Sequence, residues 1–102
     1  LSGRRHQVMT GVAVRSGSVA ESVLSVTEVR FREIGPDEAR DYWQSGDPFG
    51  KAGAYAIQGL GGAFVESIAG SYTGVVGLPI HETAELLRSA GIELPAELKD
   101  AL

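Results

Sequence analysis

From Asp47 to Gly62 the chain reads Asp-Pro-Phe-Gly-Lys-Ala-Gly-Ala-Tyr-Ala-Ile-Gln-Gly-Leu-Gly-Gly, and the same character continues through Gly70-Ser71-Tyr72 to Val75-Val76-Gly77-Leu78-Pro79. Nine of the 14 glycines lie between Gly46 and Gly77. Lys51 brings an ammonium charge, and Gln58 brings an amide that both donates and accepts. With the neighbouring hydroxyls, this set suits a polyphosphate and a hydrogen-bonding base better than an apolar ligand. Glycine at such density is expected where the backbone turns with positive φ or where a ligand comes close to the main chain. The same residues also read as tight turns between short strands, and Lys51 alone reads equally well as a surface lysine. Gln58 is harder to explain as surface filler, because its amide sits between Ile57 and Gly59 and needs a partner if it is covered.

Standard nucleotide motifs do not account for the stretch. Gly46 to Lys51 has a glycine spacing one residue short of a phosphate-binding P-loop, and Ala52 stands where a metal-binding hydroxyl belongs. Gly59-Leu60-Gly61 is followed three residues later by Phe64, which breaks the dinucleotide-binding pattern. His81 and Glu85 share a helical face at metal-competent spacing, but no second histidine completes a zinc-protease helix, and a solvated face is the favoured reading. His6 lies beside Arg4 and Arg5, which oppose both its protonation and cation binding, so it reads as structural or as the edge of a site. Two histidines far apart and no serine in a nucleophile elbow give covalent hydrolysis little support.

The elements that must position these residues follow from periodicity. Val8, Thr10, Val12 and Val14 alternate with Gln7, Met9, Gly11 and Ala13, which predicts a strand over Gln7–Val14. A turn at Arg15-Ser16-Gly17-Ser18 leads to a second strand over Val19–Arg32, giving an antiparallel hairpin with one face only partly buried. Pro36, followed by Asp37 and Glu38, starts a helix, Ala39, Tyr42 and Trp43 share a face, and Gly46 ends it. Trp43 reads as a core anchor. Tyr55–Gln58 and Ala63–Ile68 read as two short strands, and Gly70–Gly77 as a loop. Leu78-Pro79 opens a last helix with Ile80, Ala84 and Leu87 on one stripe, ended by Gly91. A further short helix is expected after Pro95.

Composition bounds the answer. At 102 residues there is room for one small domain and no second one. The chain is 43% hydrophobic and 22% charged, with no apolar run approaching a membrane span and no visible signal peptide. The absence of cysteine excludes disulfides, thiolate metal sites and a cysteine nucleophile, and makes a reducing cytoplasm the default. A net charge of −4 argues against nucleic acid as a partner, although Arg4-Arg5 and Arg30/Arg32 are locally basic.

Leu1-Ser2-Gly3-Arg4 with His6-Gln7-Val8, the block Gly50 to Gly61, Gly70-Ser71-Tyr72 and Val75 to Pro79, in this order and spacing, closely resemble the second half of the Maf family. These are septum-formation-associated nucleoside triphosphate pyrophosphatases. The resemblance implies an α/β fold similar to that of inosine triphosphate pyrophosphatases, here with largely antiparallel strands and flanking helices. It also implies metal-dependent (Mg²⁺ or Mn²⁺) cleavage of a nucleoside triphosphate to monophosphate and pyrophosphate. Ala54 to Gly59 resembles the form found in the branch acting on dTTP and UTP, where the branch preferring a methylated GTP usually has Glu in place of Gln58. Gln58 is thereby expected to set substrate specificity, and Lys51 to belong to the substrate site near phosphate.

The family's Ser-x-x-Arg-Arg loop, its acidic metal ligands, its catalytic Asp and a further Lys have no counterpart in these 102 residues. The resemblance thus makes residues 1–102 the C-terminal portion of a single Maf-like domain, inactive alone and prone to self-association or to pairing with an N-terminal half. A non-catalytic nucleotide-binding or protein-interaction module derived from the same fold is the alternative, and a structural α+β domain whose glycines are only turns is the third reading.

Overall fold

The computed structural model describes residues 1–92. Strand β1, Arg5–Ser16, and strand β2, Val19–Phe31, form a long antiparallel hairpin with Ser16 opposite Val19 and Arg5 opposite Arg30. Gly17 takes φ +61° at the first position of the two-residue turn, as a type II′ connection requires. Strand β3, Val65–Ala69, adds antiparallel to the other edge of β2, completing a sheet of order β1-β2-β3 with an irregularity between Arg30 and Phe31. The projecting hairpin makes the molecule elongated, 52 × 27 × 23 Å.

The alternation expected from sequence holds. His6, Val8, Thr10, Val12 and Val14 turn to the half-buried face, joined from β2 by the buried Ser25, Thr27, Val29 and Phe31. Val29 and Phe31 form the core with Tyr55 and Phe64. The rings of Phe31 and Tyr55 meet edge-on at 4.8 Å, a favourable geometry for their quadrupoles.

Helix α1, Pro36–Gln44, begins with proline at its first position, and the Glu38 carboxylate accepts the Gly35 N–H at 3.2 Å. Trp43 is not a core anchor: it is 67% exposed, and α1 buries no residue completely. Tyr42 takes that role, its ring edge-on to Phe64 at 5.1 Å. A nine-residue helix that is mostly polar meets the core along one narrow line, and the first residue of the aromatic pair occupies it. Trp43 instead lines a shallow apolar groove with Leu1, Ile34 and Pro48.

The segment Tyr55–Gln58 is not a strand. Short 3-10 turns at Ala52–Ala54 and Leu60–Phe64 flank it, and the Gly59 N–H closes a turn on the Ala56 carbonyl at 3.0 Å. With glycine this dense, local closure replaces a ladder partner. The other predicted strand, Ala63–Ile68, is present as β3.

Gly70–Gly77 is not wholly loop. It contains a short helix α2, Tyr72–Val76, whose N-cap Ser71 accepts the Gly74 N–H at 3.0 Å. Gly70 and Gly74 let this segment lie directly on the hydroxyl-bearing stretch of β2: a Cβ on Gly70 would meet Thr27 Oγ1 at 2.7 Å, and one on Gly74 would meet Ser25 Oγ at 3.1 Å. Buried Thr27 is satisfied there, accepting from the Ser71 N–H at 2.9 Å. Helix α3, Ile80–Ser89, buries Ala84 and Leu86. It ends as expected at Gly91, with the Gly91 N–H on Arg88 O and the Ile92 N–H on Leu87 O, a Schellman closure. The helix expected after Pro95 lies outside the described residues. The architecture is mixed α/β with an antiparallel sheet, as anticipated.

Candidate functional site

The predicted site residues come together. A cleft of about 490 Å³, within the size range of small-molecule sites, is bounded by β1 from His6 to Thr10, by the loop from Gly50 to Gln58 and by Gly74 to Gly77. Lys51 and Gln58 both line it and both are exposed. Among the described residues, no hydrogen bond or ion pair engages the Gln58 amide or the Lys51 ammonium. Arg4 and Arg5, locally basic in the sequence, do not line the cleft; Arg5 pairs with Glu28 at 3.5 Å.

Each wall has a local cause. On one side the loop turns tightly where Gly50 and Gly53 take φ +74° and +72° and Ala54 follows at φ +58°, a left-handed conformation that costs an alanine about 1 kcal/mol or more. This double left-handed step sends the Tyr55 ring into the core while Lys51 and Gln58 stay at the cleft. Opposite, the Thr10 hydroxyl donates to the Gly74 carbonyl at 2.9 Å and ties α2 to β1.

At the base, His6 Nε2 and the Tyr55 hydroxyl lie 2.8 Å apart. The His6 ring stands edge-on to Phe31, and its Nδ1 is buried without a partner among the described residues. Burial, followed by the positive amino terminus, pushes the His6 pKa below its ordinary 6.5. The geometry gives the same direction, because an imidazolium needs an acceptor at both nitrogens and Nδ1 has none. Burial pushes the Tyr55 phenol up, so this pair is neutral at physiological pH. The sequence placed His6 only as structural or at the edge of a site; its position on the same face as Val8 and Thr10 was the available signal.

Among the described residues no carboxylate lines the cleft, although the chain carries 13 acidic residues. The described lining therefore favours an anion: it carries the Lys51 ammonium and the Gln7 and Gln58 amides, with no negative side chain among them. It does not fit a divalent ion such as Mg²⁺ or Mn²⁺, which takes carboxylate oxygens. No group of three potential ligands occurs among the described residues. His81 and Glu85 lie 3.5 Å apart on the exposed face of α3, as a solvated pair.

Two residues that sequence reasoning did not assign to the site brace it from behind. The Tyr42 hydroxyl donates to Asp47 Oδ2 and accepts the Ala56 N–H at 2.9 Å, and Asp47 Oδ2 is also 3.4 Å from the Gly61 N–H. Burial, reinforced by Asp47, pushes the Tyr42 phenol pKa up, so it stays a donor. The signal was the run Gly59-Leu60-Gly61-Gly62, which requires close approach but does not say by what.

Sheet, helices and loops thus define a small mixed α/β unit built around a glycine-walled cleft lined by Lys51 and Gln58. A family model described as Maf-like protein matches residues 1–90, and the chain belongs to that family. It is 60% identical over 96 residues to a protein of Bordetella parapertussis named dTTP/UTP pyrophosphatase, covering 93% of this chain and 46% of the relative. Proteins of the same name from Chromobacterium violaceum and Vibrio vulnificus are each 56% identical, over 92% and 85% of this chain and 48% and 47% of their own. The chain spans about half the length of the curated relatives it matches. Among the described residues, no helix is long and apolar enough to cross a membrane.

Proposed function

We propose that this chain forms the base-recognition half of the substrate site of a cytoplasmic nucleoside triphosphate pyrophosphatase that converts dTTP and UTP to the monophosphate and pyrophosphate. The observation that carries the reading is the meeting of Gln58 and Lys51 in one cleft whose described lining holds no carboxylate, in a chain that is 60% identical to a protein named for that reaction. Thymine and uracil offer an acceptor at O4 and a donor at N3. A primary amide answers both, donating through its nitrogen and accepting through its oxygen. Lys51 supplies a compact positive charge for the phosphates.

Such a reaction requires carboxylates to hold a divalent ion and to activate water, and the cleft lining contains none among the described residues. We assign them to the part of the protein that relatives possess and this chain does not span. On this reading residues 1–102 are the C-terminal portion of a single Maf-like domain, and the chain self-associates or pairs with the remaining half.

The test is a chimera in which the matching segment of the Bordetella parapertussis relative is replaced by this chain. Pyrophosphate release is followed with dTTP, UTP, ATP and a methylated GTP in the presence of Mg²⁺ or Mn²⁺. Preferential turnover of dTTP and UTP by the chimera, with none by the isolated chain, is expected. A folded chimera inactive on both pyrimidine substrates overturns the proposal.

A further inference from the structure

The loop that carries Gln58 is not self-supporting. Between Ala56 and Gly61 its backbone closes a turn from Gly59 N–H to Ala56 O and Ile57 packs against the core, while the side chains that hydrogen-bond its backbone come from two residues outside it. Tyr42 Oη accepts the Ala56 N–H on one side of Gln58, and Asp47 Oδ2 takes the Gly61 N–H on the other, while phenol and carboxylate are bonded to each other.

The glycines of the loop are shaped to this contact. A Cβ on Gly59 would fall on Asp47 Oδ1, and one on Gly61 would lie 2.5 Å from Tyr42 Oη and 2.9 Å from Ala56 O. Asp47 is half-buried and makes no ion pair among the described residues, so its contacts in this region are to the phenol and the loop. Neither Tyr42 nor Asp47 lines the cleft.

We propose that Tyr42 and Asp47 are positioning residues for base recognition, a clamp that fixes the Ala56–Gly61 loop and thereby the direction in which Gln58 presents its amide. The proposal rests on the assignment of Gln58 to the base. Its consequence is specific: an amide held one way distinguishes thymine or uracil from cytosine, whose hydrogen-bonding edge is reversed at both positions. A loosened amide accepts either. The clamp governs selectivity between pyrimidines and acts on the base without touching it.

The experiment uses the active chimera with Tyr42→Phe, Asp47→Asn and Asp47→Ala, measuring kcat and KM for dTTP and dCTP and the melting temperature of each variant. Tyr42→Phe keeps the ring packed on Phe64 and removes only the hydroxyl. We expect Tyr42→Phe and Asp47→Ala to lower the dTTP-to-dCTP ratio of kcat/KM about tenfold, the lower part of what a bidentate base contact provides, mainly through KM for dTTP. Asp47→Asn, which still accepts from Tyr42, is expected to retain most of the ratio. Unchanged ratios in Tyr42→Phe and Asp47→Ala overturn the clamp even if melting temperatures fall, because a merely structural role changes the amount of active enzyme and not its choice of base. If Asp47→Ala does not fold, Tyr42→Phe decides. A parent chimera without pyrimidine turnover would instead overturn the functional assignment beneath it.

Discussion

Substituting Gly61 by alanine tests whether Tyr42 packs over the loop as described. Gly61 is buried, and its new methyl would stand 2.5 Å from Tyr42 Oη, 2.9 Å from Ala56 O and 3.1 Å from Ala56 N, all inside ordinary contact distance. Two of those three atoms are backbone and cannot rotate away. The phenol can move, but only by giving up its bonds to Asp47 and to the Ala56 N–H. At about 1 kcal/mol net for each bond the loss is about 2 kcal/mol, in the middle of the range for overpacking a closed site. For a chain of this size that corresponds to a fall in melting temperature of roughly 8–16 °C. Gly11→Ala is the control: Gly11 lies in β1, a Cβ there meets nothing within 4 Å, and alanine is expected to be neutral or stabilising by up to about 1 kcal/mol. The assay is thermal unfolding of the chain followed by circular dichroism. A Gly61→Ala protein as stable as the parent would refute the packing of Tyr42 over this loop and remove the basis of the clamp.

Replacing Gln58 by Glu in the chimera is expected to lower kcat/KM for dTTP and UTP by roughly 30-fold, because the donor facing O4 becomes an acceptor and about 2 kcal/mol of pairing is lost. Since Gln58 is exposed and has no protein partner among the described residues, the melting temperature should not change; equal relative rates across substrates would refute its role. The depressed His6 pKa has a defined sign: the unfolded chain binds the proton more readily, so this contribution to stability is present above the ordinary value of 6.5 and is lost as pH falls through the folded value. The urea midpoint should therefore drop on acidification from about pH 7 to about pH 5, and His6→Phe should flatten that slope. The Glu38 carboxyl, held low chiefly by its hydrogen bond from Arg32, acts in a separate window below its ordinary 4.5. A midpoint independent of pH near neutrality would contradict the buried, unpartnered Nδ1. Finally, Met9, Leu24 and Val26 are 61%, 62% and 45% exposed on the outer face of the hairpin, where Met9 lies opposite Val26 and Gly11 opposite Leu24. Sedimentation of the isolated chain should show self-association, and a monomer at micromolar concentration would count against it.

The hairpin was legible because period-two alternation reports burial directly, from His6 to Val14 and from Ser25 to Phe31. Helix α3 was legible because Pro79 and Gly91 punctuate it. Lys51 and Gln58 stand out in the sequence as polar groups within a glycine-rich stretch, and the fold brings both to one cleft. Trp43 was misread because an amphipathic face says which residues can be buried, not which of them a short helix brings to the core; one position decided between Tyr42 and Trp43. Tyr55–Gln58 was misread because its apolar residues imitate a strand, while the conformation is set by φ values at Gly53 and Ala54 and by tertiary bonds to Tyr42 and Asp47. The glycines carry the general point. At Gly50 and Gly53 the backbone needs positive φ, a local requirement that composition suggests by itself. At Gly59 and Gly61 φ is not the reason; a phenol and a carboxylate from another part of the chain occupy the space of the missing Cβ. Those two positions have meaning only once the fold has brought Tyr42 and Asp47 across them, so the loop presenting Gln58 is shaped from outside itself.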